Sequence, residues 1–479
     1  MKGFASVLCF SATLMTTWVH AADSRVSLKP FEGIELYAPG HFGNSYEVMG
    51  EYEMRALIGE AKFWGCDSYG DWFDMLDCSD PFRAERQVGL GRALWNAKKA
   101  NFHSAAQLGL KTDFLLTPNH VYVDQRRAPM LAESGGRVFG QLLCPSNQEA
   151  HKLILDDYEK LFADLASYGV RLDRLCSCPY DYGGCNCEKC KPWILTWGRL
   201  TREIFEIAEK HHPGIEMVLV GWWWEPEEHR QLAEWVDREH PGWVKAMYLH
   251  IPYGKTGTAD VQLPQGCAKG AFVHIGYADQ ASPRDLYGLF GPMIASQRIP
   301  QTFRDLQAQG VTHLMAYSEG VCDDVNKAIY AGLASCQYPS SEAVLTAYAA
   351  RHFGTDEPTA AKWAAWLAAW GTPFTRDPVE AQAELEVLLK ATPNRNARQV
   401  QEWVLKTELF RLHREIESTG KASGGDWTPE RLALVEDYWQ TREKIHRGLW
   451  GLAPPRHIFA RQFSSPAWYK SWSEHVGHQ

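Results

Sequence analysis

Residues 175–193 read LCSCPYDYGGCNCEKCKPW. The stretch begins as a short apolar strand, breaks at Pro179, and places Asp181 between two tyrosines ahead of a pair of glycines. An acid flanked by aromatic residues, where a strand gives way to a glycine-rich loop, is typical of the active face of a barrel enzyme. The stretch therefore predicts a β/α barrel with Asp181 at its active end.

The sequence on either side repeats a pattern of strand, loop, helix and glycine, with strands roughly 40 residues apart. Eight strands are predicted, over residues 34–37, 67–72, 113–116, 172–178, 216–220, 245–249, 271–275 and 312–317. This pattern indicates an α/β fold, a (β/α)8 TIM barrel spanning residues 22–339. The alternative, a doubly wound sheet, requires a glycine-rich phosphate loop after its first strand, and the sequence from Tyr37 to His41 is not one.

From Ser340 the alternation stops, and apolar residues recur at helical spacing. Residues 340–479 therefore predict an all-α C-terminal domain, with helices over 343–350, 359–369, 379–391, 396–419 and 429–449. The tail after Pro454 is rich in aromatic residues. We expect the tail to be irregular and to pack against the rest of the chain.

The first 21 residues predict a signal peptide, because Lys2 precedes an apolar run and small residues stand before Ala22. No later segment approaches the ~20 apolar residues of a membrane span. We therefore expect an exported protein, periplasmic or secreted.

The formal net charge of -9 argues against a nucleic acid or an anionic membrane as partner. The 20 tryptophans suit stacking on sugar rings, whose C–H faces are apolar.

Three carboxylates follow predicted strands: Asp181, Glu225 and Glu319. In a barrel these positions share one mouth. Cleavage of a glycosidic bond uses two such groups, one protonating the leaving oxygen and the other attacking the sugar or activating water. Each acid could instead bond a loop amide or an arginine, and Glu225, which precedes Pro226, could begin the next helix.

Polar and aromatic residues surround these acids at the strand ends, and we expect them to bind a carbohydrate substrate. They are Asp71, Trp72, Asn119, His120, Tyr182, Trp222, Trp224, His250, Tyr253, His274, Tyr277, Tyr317 and Asp324. Adjacent side chains of a strand point to opposite faces, so the run from Trp222 to Trp224 cannot face the mouth as a whole. Asp323 is expected to cap the following helix.

Five cysteines, including Cys176 and Cys178, lie within fifteen residues. Cys185, Cys187 and Cys190 have the spacing of a structural zinc site, with a fourth ligand from Cys176, Cys178 or a histidine. Disulfides are the alternative in an exported protein, and unpaired buried thiols are another. A catalytic thiol would need a neighbouring histidine, which this stretch lacks. No other cofactor is expected.

Two stretches resemble known proteins. DYGGCNCEKC, residues 181–190, resembles an element of exported bacterial barrel proteins related to the hexosaminidase and α-glucuronidase types of glycoside hydrolase. YSEGVCDDVNK, residues 317–327, resembles a second signature of an incompletely characterised branch of such proteins. The resemblance implies polysaccharide degradation with Asp181 near the sugar. Hexosaminidases that use the substrate's acetamido group carry two adjacent acids here, whereas Asp181 precedes Tyr182, so the sequence departs from that mechanism and its N-acetylhexosamine substrate.

Other reaction classes lack their motifs. H-E-x-x-H, G-x-S-x-G and a P-loop are absent, and the first strand has no His-x-His. The remaining alternatives are a non-catalytic carbohydrate-binding barrel and a polysaccharide lyase, whose base would be Tyr180 or Tyr253 beside Lys255. The sequence thus predicts a glycosidase and leaves the sugar, the linkage and the oligomeric state open.

Overall fold

The computed structural model describes residues 28–40, 46, 49–83, 89–135, 142–179, 183–252, 254–275, 293–318, 323–371, 376–420, 427–450 and 467–477. The predicted signal peptide lies outside these residues. In the described part of the chain, no helix combines the length and the apolar character needed to cross a membrane.

Eight parallel strands close into a barrel, in which each strand pairs with the next along the chain and the eighth pairs with the first. The strands are β1 Gly33–Tyr37, β2 Ser68–Trp72, β3 Lys111–Leu116, β4 Arg174–Ser177, β5 Glu216–Gly221, β6 Val244–His250, β7 Ala268–His274 and β8 His313–Tyr317. The closed order confirms the predicted TIM barrel and excludes a doubly wound sheet. All eight strands overlap their predicted positions.

Helices on the outside connect the strands. They are α1 Glu51–Trp64, α2 Leu90–Gln107, α3 Gln148–Ser167, α4 Trp193–His211, α5 Pro226–Glu239, α6 Arg298–Ala308 and α7 Asp324–Ala334. Gly65 follows α1 with φ 118°, a left-handed conformation that ends the helix and turns the chain toward β2. The alternation is incomplete between β6 and β7, where the described residues 251–252 and 254–267 form no helix.

Within the described residues, six further helices follow the barrel, five over the predicted helical stretches and one in the tail. They are α8 Ser341–Phe353, α9 Glu357–Ala368, α10 Pro378–Ala391, α11 Arg398–Ser418, α12 Pro429–Trp450 and α13 Ala467–Gly477. Buried residues of α8 to α11 share one apolar core with the barrel, and a second core joins α11, α12 and α13. Helix α13 departs from the expected irregular tail, because Trp468 and Trp472 are spaced to share a helix face that packs on the second core.

Two buried carboxyl groups face one arginine inside the barrel. Arg174 Nη1 lies 3.7 Å from Glu35 Oε2, and Asp113 is the register partner of Arg174 on β3. Burial raises the pKa of Glu35 well above its usual range and that of Asp113 to about 6, while Arg174 opposes both shifts. Glu35 lies two residues before Tyr37, on the same face of β1. Glu35 and its partners Asp113 and Arg174 therefore lie deeper in the barrel than the residues at the strand ends.

Candidate functional site

Aromatic rings line the mouth formed by the carboxyl ends of the strands. The ring centroid of Tyr37 lies 6.1 Å from that of Phe272 and 5.7 Å from that of Tyr317. Trp222, after β5, lies 5.6 Å from Phe272, and Trp72 belongs to the same apolar cluster. We call these five residues the aromatic mouth. Tyr37 and Phe272 were not among the predicted binding residues, although Phe272 stands two residues before His274 and so shares its face.

Two histidines extend the aromatic mouth. The ring centroids of His250 and His274 lie 4.3 Å and 5.2 Å from that of Trp222. Burial lowers the pKa of His250 to about 4, and burial together with His250 lowers the pKa of His274 well below its usual value. Both imidazoles are therefore neutral at neutral pH. A neutral imidazole offers one donor and one acceptor, which suits hydroxyl groups.

His120 lies behind the aromatic mouth. Its Nδ1 is 2.8 Å from Asp74 Oδ1, and its ring centroid is 5.9 Å from that of Trp72. Asp74 Oδ1 also accepts a hydrogen bond from the backbone N–H of Leu76 at 2.8 Å. His120 is only 2% exposed, and its imidazole contacts both Asp74 and Trp72.

The three consecutive tryptophans lie in different surroundings. Trp222 faces the mouth, whereas Trp224 packs against Trp197 and His229 at centroid distances of 5.3 Å and 4.7 Å. Trp224, predicted to bind substrate, therefore lies between helices α4 and α5. Trp223 has φ 59°, is 42% exposed, and stacks on Trp222 at 6.1 Å with an interplanar angle of 16°. Sequence reasoning missed Trp223, because strand alternation does not anticipate a left-handed tryptophan.

Asp71 does not reach the mouth. Its carboxylate accepts hydrogen bonds from Tyr69 Oη at 2.8 Å, from Asn101 Nδ2 at 3.3 Å and from the Lys98 ammonium. Lys98 and Asn101 belong to helix α2. The prediction placed Asp71 and Trp72 at the same site, but adjacent strand residues alternate, and Trp72 occupies the inner face.

Asn119 joins two loops. Its Nδ2 donates to the carbonyl oxygens of Leu143 at 3.0 Å and Gly184 at 2.9 Å, and its Oδ1 accepts from the Gly184 N–H at 3.4 Å. The side chain is fully buried. Asn119 therefore connects the loop after β3 to the loop after β4, a structural role in place of the predicted substrate contact.

Asp324 faces the C-terminal helices instead of the mouth. It accepts a hydrogen bond from Tyr348 Oη at 2.6 Å and pairs with Lys406 Nζ at 3.0 Å. Burial alone would raise the pKa of Asp324, but Lys406 and Tyr348 lower it to about 2. Glu402 lies 3.9 Å from the same ammonium group. This cluster attaches α7 of the barrel to α8 and α11.

Replacing Glu402 by glutamine is expected to stabilise the protein increasingly as the pH rises. Burial raises the pKa of Glu402 from its ordinary value of 4.5 to about 8, although Lys406 opposes the shift. A carboxyl with a raised folded-state pKa contributes stability that is present below pH 4.5 and lost as the pH rises through about 8. Glutamine cannot ionise, so between pH 5 and pH 9 Glu402→Gln should gain at least ~1 kcal/mol relative to the wild type.

Urea unfolding of both proteins across this pH range measures the difference. Glu386→Gln, which replaces an exposed acid on α10, is the control and should show a difference independent of pH. Identical pH dependence of Glu402→Gln and the wild type would contradict the raised pKa.

Buried hydrogen bonds and an ion pair connect residues on either side of the segment that carries Glu319. Asp323 occupies the N-cap position of α7, as predicted, but its side chain makes no cap hydrogen bond. Its carboxylate instead accepts from Ser318 Oγ at 2.6 Å and pairs with Lys327 Nζ at 2.9 Å. Lys327 donates to Tyr46 Oη at 3.0 Å, and Tyr46 and Ser318 share a further hydrogen bond. The hydrogen bond between Ser318 and Asp323 thus directly joins the two residues that flank positions 319–322.

Glu225 is the one predicted catalytic acid within the described residues. It is the exposed N-cap of α5: its side chain accepts from the backbone N–H of Glu228, and the Glu228 carboxylate accepts from the Glu225 N–H at 2.7 Å. This capping box is the alternative role considered for a Glu-Pro pair. The other predicted residues Asp181, Glu319, Tyr182, Tyr253 and Tyr277 lie outside the described residues.

Four cysteine sulfurs lie together beside the mouth. The Sγ atoms of Cys144, Cys185, Cys187 and Cys190 are all within 4.8 Å of one another. Three of them are the predicted group, but the fourth is Cys144, from the loop after β3, in place of Cys176, Cys178 or a histidine. Cys176 belongs to the apolar cluster inside the barrel. None of the cysteines in the described ranges forms a disulfide.

Comparison with known proteins gives structural matches alone. No protein-family model matches the chain, and no curated protein does. A mutant of the Thermobaculum terrenum O-GlcNAc hydrolase is similar at 10% identity and TM-score 0.47, covering 94% of this chain and 96% of that one. CpGH84B is similar at 10% identity and TM-score 0.43, covering 88% and 74% respectively. GH5_18 from Streptomyces cattleya is similar at 12% identity and TM-score 0.37, covering 61% and 70%. The barrel assignment rests on the strand pairing described above.

Proposed function

We propose that this protein is an exported glycoside hydrolase that cleaves a poly- or oligosaccharide at the aromatic mouth of the barrel. The observation that carries the proposal is the mouth itself, where Trp222 and Tyr317 are partly exposed beside two neutral histidines. Aromatic faces pack on the apolar C–H faces of sugars, and neutral imidazoles hydrogen-bond to hydroxyl groups without requiring charge.

Asp181 and Glu319 are the proposed reacting acids. In the sequence, Asp181 follows β4 and Glu319 follows β8, and residues after barrel strands serve catalysis in this fold. One carboxyl would protonate the leaving oxygen while the other attacks the anomeric carbon or activates water. Glu225 is not given this role, because its carboxylate caps α5.

Turnover on defined substrates tests this proposal. The purified protein would be assayed for reducing sugar released from aryl glycosides and from plant, algal and host glycans, with binding to each glycan measured by calorimetry. Release of reducing sugar from any of them supports the hydrolase. Binding without release would overturn it in favour of a carbohydrate-binding barrel, and unsaturated products would indicate a lyase.

Replacing Trp223 by glycine is expected to weaken glycan binding about tenfold, a loss of ~1.4 kcal/mol, without lowering thermal stability. The exposed ring of Trp223, which stacks on Trp222, would extend the aromatic surface against which a sugar packs. An L-residue in the left-handed region costs roughly 1–2 kcal/mol, which glycine avoids. Calorimetric titration and thermal unfolding measure the two effects.

The matched control is Tyr168→Ala, which removes an aromatic residue that is 47% exposed at the far end of α3. Glycan binding by this variant should equal that of the wild type. Unchanged glycan binding by Trp223→Gly would show that Trp223 does not contribute to sugar binding.

A further inference from the structure

The four-cysteine cluster has the dimensions of a tetrahedral metal site. Cys144 Sγ lies 3.8 Å from Cys187 Sγ and 3.7 Å from Cys190 Sγ. Zinc binds thiolates at about 2.3 Å, so the edges of a zinc–sulfur tetrahedron are about 3.8 Å long. Sulfur atoms joined in a disulfide are only about 2.0 Å apart. The two distances from Cys144 Sγ match the edges of a zinc–sulfur tetrahedron, and the other Sγ–Sγ distances in the cluster are within 4.8 Å.

The Asn119 side chain and a backbone hydrogen bond hold the two contributing loops together independently of the sulfurs. Asn119 bonds the carbonyls of Leu143 and Gly184, the residues immediately before Cys144 and Cys185. The backbone N–H of Asn186 donates to Glu133 O at 2.8 Å, which adds a second link between the same loops. Ligands from two loops, 41 residues apart in sequence, are thus positioned in advance of any ion.

The surroundings of the cluster also suit metal-bound thiolates. Cys185 and Cys190 are buried, which shields sulfur from solvent. Ser146 Oγ lies 3.0 Å from Cys190 Sγ, close enough to donate a hydrogen bond to a thiolate. Hydrogen bonds of this kind orient the ligands of metal sites.

We propose that Cys144, Cys185, Cys187 and Cys190 bind one Zn²⁺ ion as a closed structural site. Each thiol loses its proton to solvent when the ion binds, and the four thiolates fill the tetrahedral shell. No position remains for water or substrate, so the ion braces the structure and takes no part in catalysis. Its effect is to fix the loop that follows Asp181 in the sequence onto the loop after β3. This inference stands independently of the proposed hydrolase activity.

Metal analysis of the unaltered protein is the first test. The full chain, expressed with its own N-terminus and purified without a chelating resin, should contain about one zinc per chain by inductively coupled plasma mass spectrometry. Peptide mapping without reduction should find all four cysteines unpaired. Two disulfides among the four, absence of metal, or a stoichiometric content of iron in place of zinc would each overturn the proposal.

Variants of Cys144 test the ligand set. Cys144→Ser should weaken zinc affinity at least ~10-fold in competition with a chromogenic chelator, while Cys144→His, which supplies another zinc ligand, should retain zinc. Cys336→Ser removes a thiol outside the cluster and is the control with unchanged affinity. If Cys144→Ser fails to fold, the zinc content of the wild type decides, because absence of zinc there overturns the proposal. Wild-type zinc affinity in Cys144→Ser would exclude Cys144 as a ligand.

Discussion

Replacing Arg174 by methionine is expected to lower the free energy of unfolding by about 3–5 kcal/mol at pH 8. Glu35 and Asp113 are fully buried, and Arg174 is the cation that faces both inside the barrel. Methionine fills much of the same space but leaves the carboxyl groups without an opposing charge. Because removal of the cation raises their pKa values further, the loss should be smaller at pH 5, where protonation neutralises them.

Chemical denaturation at the two pH values measures this effect. Arg238→Met is the control, since it breaks an ion pair with Glu239 in which the arginine side chain is 66% exposed. Such a surface pair contributes no more than about 1 kcal/mol. Adding Glu35→Gln to Arg174→Met should recover part of the stability. A loss in Arg174→Met no larger than in the control would contradict the role assigned to the buried arginine.

The second large effect is expected on catalysis. Asp181→Asn and Glu319→Gln should each lower kcat/KM at least ~10²-fold on a glycan that the wild type hydrolyses, because each removes a group that transfers a proton or stabilises the transition state. Each variant keeps the size of its side chain, so substrate binding should change little. Steady-state kinetics together with calorimetric binding separate the two effects.

Glu225→Gln is the matched control for these variants. Its carboxylate caps α5, so the substitution should cost about 1 kcal/mol or less of stability and leave kcat/KM within a few-fold of the wild type. A large loss of kcat in Glu225→Gln, with little loss in Asp181→Asn, would show that the acids had been assigned wrongly.

Much of the barrel was predictable because its strands are buried on both faces and read as short apolar runs. Glycines marked the ends of several helices, as at Gly65, where the left-handed conformation excludes most other residues. The helix in the tail was harder to predict, because two aromatic residues four apart, Trp468 and Trp472, are a weak sign of helical spacing.

The direction of individual side chains was the part of the site that strand positions could not give. Asp71 and Trp72 end the same strand, yet one faces α2 and the other faces the barrel interior. Trp223 adopts a left-handed conformation that residue type does not predict, and it separates the directions of Trp222 and Trp224. Cys144 was missed as a partner of the later cysteines, because it lies on the preceding loop, 41 residues before Cys185, and no spacing motif connects the two.

In the proposed mechanism, two acids at one mouth cleave glycosidic bonds. The most direct test compares the wild type with the double variant Asp181→Asn/Glu319→Gln. Reducing sugar released from the best glycan of the panel is measured for both proteins at equal concentration. We expect turnover by the wild type and at least a ~10²-fold lower rate for the double variant. Equal rates for the two proteins would contradict catalysis by these carboxyl groups.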